Sequence, residues 1–176
     1  MSRAVTLPIL LAVVLTACAD PSPTLPLPSA PRRSTDPAAA GDAPALAVRG
    51  TFAGEETASP LSPTAVGVHL TGGGVAAHLG RYSVVLDAVV QLPSGTSAVD
   101  VVFRAANGDE LWGSGTGAAA PSPTRPGFLS ITETGVITGG SGRFAGATGS
   151  FTLVRLYDAA TAASTGTVDA SITVAR

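Results

Sequence analysis

The chain has 176 residues, a formal net charge of −2, one cysteine and an aromatic content of 5%. Such a charge balance gives no electrostatic footprint for nucleic acid, and a lone cysteine allows neither an internal disulfide nor a thiolate metal cluster. Every basic side chain is arginine, which removes Walker-type phosphate loops, Schiff-base catalysis and lysine general bases together.

Residues 1–17 have the three parts of an export signal peptide. Arg3 and the terminal amine form a short positive region, and Ala4 to Leu15 is an apolar run broken by Thr6 and Pro8. The run is too short to cross a hydrocarbon core, which needs about 20 residues of helix. Directly behind it stands Leu15-Thr16-Ala17-Cys18. This order resembles the lipobox of bacterial lipoproteins, in which cleavage leaves the cysteine as the first mature residue with a diacylglycerol on its thiol. The resemblance implies export, lipidation at Cys18 and anchoring to the membrane of the cell envelope. Ala19 rather than Asp follows the cysteine, which favours the outer membrane or cell surface. The alternative is an ordinary secretory signal with an incidental cysteine, and a secreted product.

From Cys18 to residue 45 the composition changes. Pro21, Pro23, Pro26, Pro28, Pro31, Pro37 and Pro44 alternate with Ser, Thr, Ala and Asp. Without an apolar period, and with many amides lacking a donor, this stretch is expected to be a disordered linker. Its reach is at most roughly 80 Å if it is polyproline-like.

Residues 46–176 form one domain, long enough for a single core. Strand-like runs occupy Leu46–Phe52, Ala65–Thr71, Ala76–Leu92, Ser97–Ala106, Glu110–Gly117, Phe128–Thr138 and Ser150–Tyr157. The last strand is the clearest, because Val168, Ala170, Ile172 and Val174 alternate with Thr167, Asp169, Ser171 and Thr173. Turn signals separate the runs: Gly72-Gly73-Gly74, Pro93-Ser94-Gly95, Asn107-Gly108, Pro121 to Gly127, and the glycines from 139 to 149. Asn107-Gly108 suits a type I′ hairpin, whose two central residues need positive φ. The expected fold is all-β: a single eight-stranded antiparallel up-and-down barrel, or else a sandwich. Aromatic girdles for an outer-membrane barrel are lacking. Val85 and Val89 lie opposite the apolar face of Tyr82, Val84, Leu86, Ala88 and Val90, which suggests that a loop or a neighbouring subunit of a homo-oligomer covers the outer wall.

The string Gly139-Gly140-Ser141-Gly142-Arg143-Phe144-Ala145-Gly146-Ala147-Thr148-Gly149 reads as a glycine-permitted turn and one helical or 3₁₀ turn that seats Phe144. It resembles a segment of the bacterial proteins with an allene oxide cyclase-like barrel, which are distantly related to plant dirigent proteins. Ala77-His78-Leu79-Gly80-Arg81-Tyr82 and Thr165-Gly166-Thr167-Val168 are similar to other motifs of that group. The resemblance implies an eight-stranded barrel, a trimer as in the plant relatives, and an apolar cavity for a lipid-like or phenolic intermediate. It transfers no catalytic residue.

Candidate chemistry is sparse. His69 and His78 flank the triple glycine and would be neighbours in a hairpin closed there, yet a metal needs a third ligand and none stands at telling spacing. No metal and no cofactor is therefore implied. Asp87, Asp100, Arg104, Glu133 and Arg155 fall within strands, and any of them that points inward needs a partner for its charge. Asp100 and Arg104 share one face, opposite Val99, Val101 and Phe103; with His69 and His78 they are candidate polar groups of a cavity, and surface charges otherwise. Trp112 and Tyr157 suit a core, a rim or a ligand platform. Three functions fit. The first is a lipid-anchored barrel that binds a small apolar ligand, the second a cyclase- or isomerase-like enzyme acting in the same cavity. The third is a structural or interaction module with a filled barrel. Paired polar groups in a cavity favour the enzyme, a dry cavity favours binding, and no cavity favours the third.

Overall fold

A computed structural model describes residues 44–175 of the chain. The expected signal peptide, Cys18 and the part of the expected linker up to residue 43 lie outside the described residues. Eight strands follow in order: β1 Leu46–Ser62, β2 Ala65–Ala76, β3 Gly80–Gln91, β4 Thr96–Ala105, β5 Glu110–Pro121, β6 Phe128–Gly140, β7 Thr148–Asp158 and β8 Ala163–Thr173. Each pairs antiparallel with the next, and β8 pairs with β1, so the sheet closes as an up-and-down barrel. Closure leaves no sheet edge unpaired.

Alternation decides which side chains face inward. On β3 these are Tyr82, Val84, Leu86 and Ala88, and on β4 Val99, Val101, Phe103 and Ala105; all are buried. Val85, Asp87 and Val89 point outward, as do Asp100, Val102 and Arg104. The last strand matches its sequence pattern, with Val168, Ala170 and Ile172 in the core.

Two expectations are corrected. The triple glycine is not a turn: Gly72, Gly73 and Gly74 lie inside β2, paired with Gly54, Ala53 and Phe52 of β1. The glycines serve close approach between strands, since a Cβ on Gly74 would collide with the Thr51 carbonyl and one on Gly72 would lie 2.5 Å from that of Ala53. The turn falls instead at 77–79, within the run expected to continue from Ala76 to Leu92, with His78 in the left-handed region at φ 61°. The second correction concerns Asn107-Gly108. It does join β4 to β5, but only Gly108 has positive φ, at 90°. Gly108 N–H donates to the Ala105 carbonyl and Ala105 N–H to that of Asp109, both at 2.9 Å. The result is a three-residue hairpin loop rather than a type I′ turn.

The two ends of the barrel differ. One carries the β2–β3, β4–β5 and β6–β7 connections together with the start of β1 and the end of β8. A bulge in β6 between Ile137 and Gly139 carries the strand over this end. It leads into a single 3₁₀ turn, Gly142–Phe144, which drives Phe144 into the core at 1% exposure. Tyr82 and Phe103 meet edge to face beside it, centroids 5.8 Å apart. Tyr82 donates to the Thr51 carbonyl at 3.2 Å, and burial pushes its pKa up to about 12. Arg143 ties three connections together: it donates to the Leu79 carbonyl at 3.3 Å, lies 3.6 Å from the Asp109 carboxylate, and covers the Phe144 ring at 4.8 Å. This end is closed.

Phe144 is the plug of the closed end. Phe144→Ala is expected to lower unfolding stability by about 3–5 kcal/mol, measured by urea denaturation of the purified chain. A loss below about 1 kcal/mol would mean that the ring does not fill this end.

Candidate binding cavity

Small residues line the opposite, open end. Phe52 and Phe151 fill the waist, where glycines make room for them: a Cβ on Gly113 or Gly135 would come within 2.8 or 2.7 Å of the Phe151 ring. Beyond that waist the inward positions become Ala58, Val66, Val68, Val90, Ser97 and Ala119, too short to meet across the barrel. They leave a cavity of about 200 Å³ at the open end, with Leu92, Leu129 and Tyr157 at its rim.

Its base is ionic. Arg155 on β7, Glu133 on β6 and Glu56 on β1 all point inward and are buried. Arg155 Nη2 donates to Glu133 Oε1 at 2.7 Å, and Nε reaches both Glu133 oxygens at 3.2 Å. Arg155 Nη1 donates to Glu56 Oε1 and, at 3.5 Å, to the Ser164 hydroxyl. The backbone accommodates both bulky partners. Glu133 faces Gly117 across the β5–β6 register, and Arg155 faces Gly166 across β7–β8. A Cβ on Gly117 would lie 2.8 Å from Glu133 Cγ, and one on Gly166 2.8 Å from Arg155 Cβ. Glu56 is fixed from the rim, where its N–H donates to the Ala162 carbonyl at 2.9 Å. Ala162 adopts φ 59°, a left-handed conformation that disfavours a residue with a side chain.

Burial by itself works against the charge on Arg155. The hydrogen bonds and charge of Glu133, and then of Glu56, outweigh it and hold the guanidinium above its ordinary range. No fully buried side-chain nitrogen or oxygen among the described residues lacks a partner. Glu56 and Arg155 both line the cavity, whereas Glu133 lies behind them.

The candidate polar groups singled out from sequence stand elsewhere. His69, Asp100 and Arg104 are on the outer wall and exposed, because they occupy the strand positions opposite the core-facing ones. His69 Nδ1 lies 2.7 Å from Asp87 Oδ1, its partner across β2–β3, and Asp100 pairs with Asp87 across β3–β4. His78 sits in the β2–β3 turn at the closed end, so the two histidines do not form a hairpin pair. Arg104 donates to Glu110 at 2.8 Å, and Trp112, on the outer wall, donates to the same carboxylate at 3.0 Å. The Trp112 hydrogen bond and then Arg104 hold Glu110 below the usual carboxylate range. Among the described residues no cluster of three or more His, Cys, Asp or Glu could hold a metal ion. Glu133 and Arg155 were legible as strand residues whose inward placement would matter, and Tyr157 as a core, rim or platform residue; Glu56 was missed. Its signal is the even-numbered alternation Val48, Gly50, Phe52, Gly54, Glu56, which continues past the point where composition alone ends the strand.

The chain matches no protein-family model, no curated protein and no solved structure. The cavity therefore has to be interpreted from its own chemistry.

Taking away one member of a buried ionic cluster strands the others, typically at a loss of 3–5 kcal/mol. Arg155→Leu is expected to lower stability by about that amount. Replacing the whole cluster at once (Glu56→Leu, Glu133→Leu, Arg155→Met) should bring stability back to within about 1 kcal/mol of the native chain or above it. Denaturant unfolding of the two variants checks this. A triple variant no more stable than Arg155→Leu would contradict it.

Proposed function

We propose that the domain is a lipid-anchored binding barrel of the cell envelope that holds a small, largely apolar molecule in its open end. The observation that carries this reading is the cavity of about 200 Å³ at the open end of a barrel whose other end is plugged. Eight-stranded barrels either pack solid or hold one ligand, and this one packs solid in only one half. Size narrows the occupant. A dry cavity of about 150 Å³ takes up benzene, whereas pockets for drug-sized ligands begin near roughly 300 Å³. The occupant is thus a compact molecule such as a single ring with a short substituent. A long acyl chain would have to leave its tail outside.

The strand that enters from the linker, β1, starts at the closed end. The mouth therefore lies at the end of the barrel opposite the one where β1 begins. The kinship with allene oxide cyclase-like barrels that is part of this reading rests on the sequence resemblance of the Gly139–Gly149 segment, and the closed eight-stranded barrel is compatible with it.

A second reading, an isomerase- or cyclase-like enzyme, is favoured by one specific observation: the cavity is not dry but presents the paired Glu56 and Arg155. A carboxylate and a guanidinium at the base of an apolar pocket can accept a proton and stabilise a developing negative charge on a bound molecule.

Native mass spectrometry of the mature lipoprotein, isolated from its own host, tests the binding reading. A small molecule should remain bound to the native protein and be absent from Ala119→Phe, whose larger ring fills the cavity. Repeated absence of any molecule from the native protein would overturn the reading. If the released molecule is converted when returned to fresh protein, the enzyme reading replaces simple binding. Cys18→Ser should lose acylation and retain the fold, and an acylated Ser variant would overturn the anchor.

A further inference from the structure

We infer that the molecule bound in this cavity carries one positive charge beside its apolar body: a compact alkyl- or aralkylammonium ion held by Glu56. The inference rests on the binding reading above and names the class of ligand for that same site.

Charge counting comes first. The cluster contains two carboxylates and one guanidinium, so with all three groups ionised it carries a net charge of −1 in a region shielded from water. The pairing is uneven. Glu133 uses both of its oxygens on Arg155. Glu56 uses only Oε1, and its Oε2 makes no hydrogen bond among the described residues. Since no fully buried side-chain oxygen is left without a partner, Oε2 opens onto the cavity that Glu56 lines. The Glu56 side chain is nonetheless only 7% exposed. One acceptor oxygen, with little access to bulk water, faces an apolar chamber.

Such an oxygen discriminates among ligands. A neutral hydrocarbon would remove its remaining water and offer no donor in return, which is the expensive way to bury a charged group. A carboxylic acid would bring a like charge against the net negative base; Arg155, the one cation in the lining, is already committed to the two glutamates. An ammonium group supplies both the donor and the missing charge, and Ser97 and Tyr157, whose hydroxyls can accept hydrogen bonds, are also lining residues. A bare divalent cation fits poorly. Calcium takes six to eight oxygen ligands, and magnesium keeps an octahedral shell of waters, whereas most of these walls are alanine, valine and leucine.

The test compares three probes of nearly equal size, benzylamine (protonated at neutral pH), ethylbenzene and benzoate. They are titrated by calorimetry into the mature lipoprotein held in nanodiscs of a zwitterionic lipid. A hydrogen bond to a charged group contributes about 1.5–3 kcal/mol, so benzylammonium should bind at least about tenfold more tightly than ethylbenzene. Benzoate should not bind. In Glu56→Gln the preference for benzylammonium should vanish, because the charge that holds the ammonium and penalises the hydrocarbon is removed in one step. Ethylbenzene binding as tightly as benzylammonium to the native protein would overturn the charge inference and leave the binding barrel standing. Failure of both to bind would overturn the two together, and preferential binding of benzoate would reverse the sign of the site. The native-protein comparison decides the question even if Glu56→Gln does not fold.

Discussion

Arg155 reaches into the barrel between two carboxylates contributed by strands on either side of it, and much of the open end is organised around that fact. A guanidinium taken out of water loses several kcal/mol of hydration unless its donors are matched. Glu133 from β6 and Glu56 from β1 provide the match, and β8 lies between β7 and β1. The cluster therefore joins strands brought together only when β8 pairs with β1 and the sheet closes. Buried ionic groups of this kind are weak contributors to net stability. Here they take the inward positions at the end where the apolar core stops.

The rest of the interior follows from a limit on volume. Eight strands enclose just enough space for side chains to fill, so bulky residues must face small ones. Phe151 lies over Gly113 and Gly135, Phe52 over Gly166, Glu133 beside Gly117 and Arg155 beside Gly166. This complementarity lets a chain with so few aromatics build a solid half. The same economy leaves a void at the other half, where alanines and valines face one another with nothing large between them. Plug and cavity are two consequences of one distribution of side-chain sizes along the strands.

Much of this was legible in the sequence, for identifiable reasons. Period-two alternation at 167–174 and at 82–90 survives in the barrel because each strand has one dry face. The Gly139–Gly149 segment was readable because a phenylalanine among glycines has few places to go but inward. Other features were hidden. Glycine marks both turns and close strand approach, so Gly72-Gly73-Gly74 looked like a hairpin while it stands opposite Gly54 in a ladder. The face of β2 and β4 that looks inward is set by register with neighbouring strands, which kept the placement of His69, Asp100 and Arg104 open. Glu56 was missed because the polar stretch after Phe52 resembles a loop and outweighs the faint alternation that runs on to it, whereas pairing with β2 carries β1 to Ser62.

The account stands on Arg155 being sealed inside and doubly paired. Nitrogen-15 NMR of the arginine side chains in the purified protein tests this most directly, by measuring solvent exchange of each Nε–H. Arg104 provides an internal reference, since it is also paired with a glutamate but sits on the outer wall at 63% exposure. The Arg155 Nε–H should give a resolved resonance that exchanges far more slowly than that of Arg104. Exchange of Arg155 as fast as Arg104 would mean that the guanidinium is open to water, and the ionic base of the cavity would not exist as described.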